Sequence, residues 1–290
     1  QQGRTQWHRI AFDQRPHGLA LSLRTLFDCP TVERLAAVIG HGDARHDVIR
    51  IPVRPQQSRA PLSLLQERLW MLEQYNPGQL SYNTPSAHRL TGALDVTALD
   101  RAFRAMMQRQ SVLRTTIGLE QGEPVQVIHE GLDPGLRTVE DLLALPPDER
   151  MPEVAGRIRQ LIETPFADLG AGPLFRARLF RIAADEHVLF FMPHHVIWDG
   201  WSFDLFYSEL SELYAAELEG RPALLPALPV SYGDWSAWHR TWVQGPQYAA
   251  QLAFWRNRLA NLAALGDPPC ALPTDKPRKR GMSGNSRSSP

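Results

Sequence analysis

Only two cysteines, Cys29 and Cys270, occur in 290 residues. They lie far apart and share no metal-like spacing with histidine, so neither a disulfide framework nor a thiolate metal site is expected. So few thiols in so long a chain fit a reducing, cytoplasmic compartment in which each behaves as a small apolar residue. Lysine is confined to Lys276 and Lys279, every other basic residue being arginine. Neither sign of charge is in excess, since 31 basic side chains balance 31 acidic ones. That balance argues against a polyanion-binding surface and against nucleic acid as a partner. Long apolar runs are missing too. The longest, Val188 to Met192, falls far short of the roughly 20 residues a membrane helix needs. No basic–apolar–small leader opens the chain, and Gln1 stands where an initiator Met would, which reads as a piece of a longer polypeptide.

What is present suffices for one large or two modest globular domains, with 43% of the residues hydrophobic. Residues 1–20 show neither helical nor strand period. Thr31 to Ile39 reads as a helix between Pro30 and Gly40, capped by Thr31 with Leu35, Val38 and Ile39 on one face. Residues 41–60 are rich in Arg, Pro, Gln and Asp and read as a linker. From Pro61 the pattern is that of a folded domain. Leu62, Leu65, Leu69 and Leu72 recur at helical spacing up to Asn76-Pro-Gly78, Thr84–Leu90 reads as a strand, and Leu94–Gln108 as a helix started at Asp95 or Thr97. Leu113–Leu119 and Pro124–His129 pair through Glu120-Gln-Gly-Glu123. A helix around Val154–Ile162 precedes a hairpin of Leu174–Ile182 and His187–Pro193, the second strand being apolar enough to lie centrally. Phe203–Leu218, Trp235–Val243 and Tyr248–Leu265 read as helices, and residues 278–290 as a disordered tail. The order of elements predicts an α/β sandwich with a mixed sheet.

The chemistry concentrates in Phe190-Phe-Met-Pro-His-His-Val-Ile-Trp-Asp-Gly-Trp-Ser202. An apolar strand delivers His194 and His195 to its end, and a turn with Asp199 and Gly200 leads into a helix. Successive side chains of a strand point to opposite faces, so one ring faces a reaction while the other braces the backbone. Three other readings stand beside this one. The histidines can be satisfied by backbone carbonyls, with Asp199 merely capping the helix. They can ligate a metal with Asp199, against which the opposed ring directions count. A nucleophilic triad lacks any Gly-x-Ser-x-Gly or reactive-cysteine context. Trp198, Trp201 and Phe203, like Trp235, Trp238 and Trp255, read as core.

The segment His194-His-Val-Ile-Trp-Asp-Gly200 resembles the His-His-x-x-x-Asp-Gly signature of the condensation domains of nonribosomal peptide synthetases, members of the chloramphenicol acetyltransferase-like superfamily. Leu62-Ser-Leu-Leu-Gln-Glu-Arg-Leu-Trp70 resembles the opening helix of such domains, Leu113-Arg-Thr115 the core of the second motif, and Tyr232-Gly-Asp-Trp-Ser-Ala-Trp238 the fourth, all in family order. Gln110-Ser111 stand where the family usually has His-Glu. Upstream, Leu21 to Ala36 resembles the end of a peptidyl carrier domain without its Gly-Gly-x-Ser signature. On this resemblance residues 1–40 are a carrier remnant, 41–60 the linker, and 61–277 the N-terminal lobe of a condensation domain, the motifs of the second lobe being missing.

The resemblance implies a reaction in which the α-amine of a carrier-bound acceptor attacks the thioester of a carrier-bound donor. Both substrates ride on the phosphopantetheine arms of partner carrier domains in adjacent synthetase modules, and the domain itself binds no cofactor or metal. The resemblance makes His195 the catalytic residue, either as base or by orienting the amine, a histidine being the side chain suited to proton transfer near neutral pH. It makes Asp199 an architectural residue paired with Arg114, so that losing one partner of a buried pair would cost about 3–5 kcal/mol. With one lobe, His195 faces solvent and little activity is expected of the chain alone. The alternatives are an O-acyltransferase of the same superfamily and a non-catalytic remnant that at most binds carrier domains. The opening helix leans towards domains accepting an L-configured donor.

Overall fold

A computed structural model of the chain describes residues 29, 31–40, 50–132, 135–136 and 139–260. The contacts divide the chain into two units, residues 1–53 and 54–290. Within the first, helix α1 (Val32–Gly40) starts as its sequence predicts: the Arg34 amide donates to Thr31 Oγ1 at 3.3 Å and the Leu35 amide to the Thr31 carbonyl at 3.0 Å. The remainder of the expected carrier remnant and residues 41–49 of the expected linker lie outside the described residues, as do the expected tail and residues 261–277 of the expected lobe.

The second unit runs β1 (Arg59–Pro61), α2 (Leu64–Tyr75), β2 (Ser86–Thr91), α3 (Val96–Arg109), β3 (Thr115–Glu120), β4 (Glu123–Ile128), β5 (Val139–Asp141), α4 (Pro147–Glu163), β6 (Phe175–Ala183), β7 (Glu186–Pro193), α5 (Gly200–Glu219), α6 (Tyr232–Trp242) and α7 (Pro246–Leu259). Local chemistry sets the boundaries. Asp95 accepts from the Ala98 amide to open α3, and Gln121 and Gly122, at φ 53° and 87°, turn β3 into β4. Gly220 closes α5 in the left-handed conformation at φ 63°. Pro147 at the first helical position, with Asp148 and Glu149 behind it, starts α4 seven residues before the apolar period that betrays it at Val154.

Among the described residues two sheets form: an antiparallel β1-β4-β3 and a mixed β2-β7-β6-β5 in which β5 is parallel to β6. β7 is central and buried from His187 to Pro193. Its faces meet different layers. Phe191 stacks on Phe206 of α5 at 4.4 Å and lies edge-on to Phe103 of α3 at 6.1 Å, while Val188 lines a groove with Val154 and Ile158 of α4. The α/β sandwich with a mixed sheet is therefore the observed architecture. β1 and β5 escape a reading of sequence period because three residues hold too little alternation.

Two details depart from the sequence reading. The leucine stripe assigned to α2 is only in part its inner face, since Leu69 packs against the core and Leu72 is half-buried. Leu62 is fully buried but precedes α2, Leu65 is exposed, and the buried residues of the helix are Gln66 and Glu73. Residues 54–60 are also no linker. The Arg54 amide and Nε donate to Asp234 Oδ1 at 2.9 and 3.1 Å, and Gln57 Nε2 donates to the same oxygen at 3.0 Å. Ser231 supplies its amide and hydroxyl to Oδ2, each at 2.8 Å. Burial would raise the Asp234 pKa, but these donors carry it well below the usual carboxylate range.

Gly233 makes that approach possible. A Cβ there would come within 2.5 Å of Arg54 Nη2 and 2.8 Å of Ala60 Cβ. Gly233→Ala is accordingly expected to push α6 from β1 and lower stability by about 1–3 kcal/mol, read as a shift in the denaturant midpoint. An unshifted midpoint would contradict this packing.

Candidate active site

Strand pairing runs beyond β7 and decides where each histidine points. His194 forms a bridge with Asn83, and its amide donates to the Leu174 carbonyl at 2.8 Å. The next amide, of His195, donates the opposite way, to the Tyr82 carbonyl at 2.8 Å. The two amides thus bond to segments on opposite sides of β7, and the two rings end in different surroundings. His194 is 1% exposed, edge-on to Phe166 at 5.5 Å and tilted against Tyr82 at 6.0 Å. Its Nδ1 accepts from the Val196 amide at 3.1 Å, which puts the ring proton on Nε2. Burial, with the neighbouring His195 adding to it, lowers the His194 pKa to about 4, so the ring is neutral near pH 7. His195 is exposed.

After the histidines the chain turns. The Ile197 amide donates to the His194 carbonyl at 3.0 Å and the Trp198 amide to the His195 carbonyl at 3.4 Å. Trp198 then enters the core, 5.3 Å from Phe191 and 5.2 Å from Phe203. Asp199 caps α5: its Oδ1 accepts from the Ser202 amide at 2.9 Å and the Ser202 hydroxyl at 2.6 Å, and its own amide donates to Ser202 Oγ.

The expected ion pair between Asp199 and Arg114 is not formed. Arg114 closes a short 3₁₀ turn (Ser111–Arg114) and gives its guanidinium to backbone carbonyls: Nε to Met107 at 2.9 Å, Nη1 to His129 at 2.6 Å and Nη2 to Gln108 at 3.4 Å. It clamps the end of α3 to the β3–β4 hairpin, while the exposed Asp199 is used up by its helix. Gly200 is not required by the backbone either. It lies in the first turn of α5 without a positive φ, and a Cβ added to it would meet nothing within 4 Å. Trp201 and Trp255, read as core, are 84% and 56% exposed. The described residues include no group of three His, Cys, Asp or Glu side chains that could hold a metal ion, and no helix long and apolar enough to cross a membrane.

Three residues without an assigned role complete the site. Ser63 and Gln66 form a capping box at the start of α2, and Gln66 Nε2 reaches across to the Val196 carbonyl at 3.1 Å. The Tyr232 hydroxyl donates to Ser63 Oγ at 3.0 Å. Burial raises the Tyr232 pKa, the Ser63 bond opposes it, and the charge of Asp199 raises it further. The Ser-x-x-Gln spacing of a capping box was visible in the sequence; the long-range bond to Val196 was not.

A two-sheet α/β sandwich that presents His-His-x-x-x-Asp-Gly at the end of its central strand has the chloramphenicol acetyltransferase-like fold. More narrowly, the family model for the condensation domain matches residues 56–288, and the chain belongs to the condensation-domain family of nonribosomal peptide synthetases. It is 41% identical over 258 residues to one of the linear gramicidin synthase proteins of Brevibacillus parabrevis, covering 88% of this chain and 5% of that protein. It is 34% identical over 275 residues to enniatin synthase of Fusarium equiseti, covering 93% of this chain and 8% of that one. Among solved structures, the X-domain from teicoplanin biosynthesis superposes with a TM-score of 0.64 at 28% identity, over 79% of this chain and 49% of that one. The first condensation domain of the calcium-dependent antibiotic synthetase, in complex with a substrate analogue, gives 0.61 at 24% identity, over 71% and 48%. The chain thus spans a small part of the curated relatives and about half of the solved domains.

Two outcomes follow from this geometry. Asp199→Ala removes an N-cap rather than a buried ion pair, so unfolding measurements should show a loss of about 1 kcal/mol; a loss of 3–5 kcal/mol would restore the ion pair. For His194, the unfolded ring takes a proton near pH 6.5 and the folded ring only near pH 4. Stability is therefore full above pH 6.5 and falls as the pH drops towards 4, by about 3 kcal/mol from this group. Denaturation at pH 7 and pH 4.5 should show a shallower pH dependence for His194→Asn than for the parent, and equal dependences would refute a buried neutral imidazole.

Proposed function

We propose that this chain is the histidine-bearing, N-terminal lobe of a domain that forms peptide bonds between two carrier-bound substrates. The observation that carries the reading is the division of labour at the end of β7. His194 is buried and neutral, while His195 stands exposed beside the start of α5. The acceptor amine bonds to the donor's thioester carbon, the carbonyl π electrons move to oxygen, and collapse of the tetrahedral intermediate expels the thiolate. The proton leaving nitrogen passes to the imidazole of His195 and ends on the departing thiol. His194 braces the strand end, Asp199 fixes the first turn of α5, Gly200 leaves the space above that turn open, and Arg114 holds α3 to the hairpin.

Donor and acceptor arrive on the phosphopantetheine arms of two carrier domains, and holding both in line requires a second lobe opposite this one. The chain alone should therefore yield little dipeptide from two loaded carriers. Joined to a second lobe it should turn over, and His195→Ala should then lower the rate by about 10²–10⁴-fold, the usual worth of proton transfer by a positioned side chain. Rapid condensation by the chain alone, or an unaffected His195→Ala enzyme, would overturn the reading. A second reading, a non-catalytic domain that recruits a partner, draws on the likeness to the teicoplanin X-domain, which was solved in complex with OxyB. It predicts binding without turnover in both forms.

A further inference from the structure

We infer that Gln66 is a positioning residue for the loop that carries His195, an inference that rests on the reading of His195 as the group that meets the amine. Five of the six backbone polar groups of residues 195–197 have hydrogen-bond partners in the structure. The His195 amide goes to the Tyr82 carbonyl, its carbonyl takes the Trp198 amide, and the Ile197 amide returns to the His194 carbonyl. The Val196 amide is held by His194 Nδ1. The remaining bond, at the Val196 carbonyl, comes from a side chain 130 residues away, Gln66 Nε2, at 3.1 Å.

Gln66 is suited to that role because its own position is fixed. It is 2% exposed, and its amide oxygen accepts from the Ser63 amide at 3.0 Å while Ser63 Oγ accepts from the Gln66 amide at 3.1 Å. Ser63 Oγ is in turn held by Tyr232. The two ends of the primary amide divide the work, the oxygen closing the capping box and the nitrogen gripping the histidine loop. In a site removed from water, a carbonyl that loses its donor is left unsatisfied and the turn is free to shift. Ring placement within a fraction of an ångström is what an attacking amine requires of its proton acceptor.

The two functions can be separated by one substitution. Q66E keeps an oxygen to accept from the Ser63 amide, and Glu is a standard residue at that capping position, but an ionised carboxylate cannot donate to the Val196 carbonyl. Amide hydrogen exchange by NMR on the 290-residue chain should show the Val196, Ile197 and Trp198 amides exchanging at least about tenfold faster in Q66E, with β6 unchanged. Binding of glycyl-pantetheine amide, followed on the ring resonances of His195, should weaken by about tenfold. Unchanged exchange at the three amides, or equal probe affinity despite a looser loop, would overturn the inference. Faster exchange with no probe effect on His195 in either protein would uphold the positioning by Gln66 and instead sink the reading of His195. Should Q66E fold poorly, Q66M, which keeps the volume and loses both amide bonds, is read in the same way.

Discussion

The register of one strand governs which imidazole is exposed at its end. β7 is paired on both sides, to β2 from Ser86↔Phe191 onwards and to β6 from Phe175↔Pro193. The pairing continues for one residue at each edge, through the Leu174 and Tyr82 carbonyls. Because side chains alternate with a period of two, a slip of one residue would turn every side chain of β7 to the other layer. Phe191 would leave its stack on Phe206, and the buried His194 would change places with the exposed His195. The aromatic packing of Phe103, Phe175, Phe191 and Phe206 thus does more than stabilise the sheet. It selects which of two chemically identical rings meets water.

Selection of the ring leaves the placement of its loop open, and here polar groups from distant segments take over. Ser63 and Gln66 open α2, Tyr232 opens α6, and Asp199 opens α5, so three helix starts converge beside the histidines. The first turn of a helix has amides without intrahelical partners, and each of these helices satisfies them with a cap from its own sequence. The side chains beyond the caps then tie the turns together. Asp234, one turn into α6, is held by Arg54 and Gln57, which fixes the helix that presents Tyr232. Arg114 performs the same kind of service further off, with backbone carbonyls as its partners. Charge on this side of the molecule is employed in architecture, and the one exposed imidazole at the strand end stands apart from it.

The parts of this arrangement that follow from local rules were legible in the sequence. The apolar run ahead of His194 placed a central strand, the paired histidines at its end took different surroundings, and Asp95 and Thr31 marked helix starts through their capping chemistry. What stayed hidden depends on partners that no local pattern names. The buried face of α2 carries Gln66 and Glu73 beside the half-buried Leu69 and Trp70, because Gln66 donates to the Val196 carbonyl and Glu73 accepts from the Gly78 amide. Arg114 and Asp199 are opposite in sign and belong to family motifs, yet each has nearer partners that cost less to reach: carbonyls at a helix end for one, two donors of Ser202 for the other. Arg54 to Ala60, polar and proline-bearing, read as a linker although its arginine is bound to a buried carboxylate.

The surface around His195 bears on how such a lobe works. Trp201 and Leu205, four residues apart on α5, are 84% and 52% exposed, and Leu64 and Leu65 in the first turn of α2 are 41% and 64% exposed. Single exposed apolar side chains are ordinary, and several near helix starts fit the proposed reading, in which this surface is covered in use. On the proposed reading the cover is the second lobe, and its effect is electrostatic as much as steric. Charge developing on a tetrahedral intermediate is stabilised weakly in water and far more strongly by fixed dipoles in a site from which water is excluded. A histidine loop tied to Tyr82, His194 and Gln66 by its backbone polar groups can hold its shape while that face is open, so that on this reading closure need only remove water and bring in the arms.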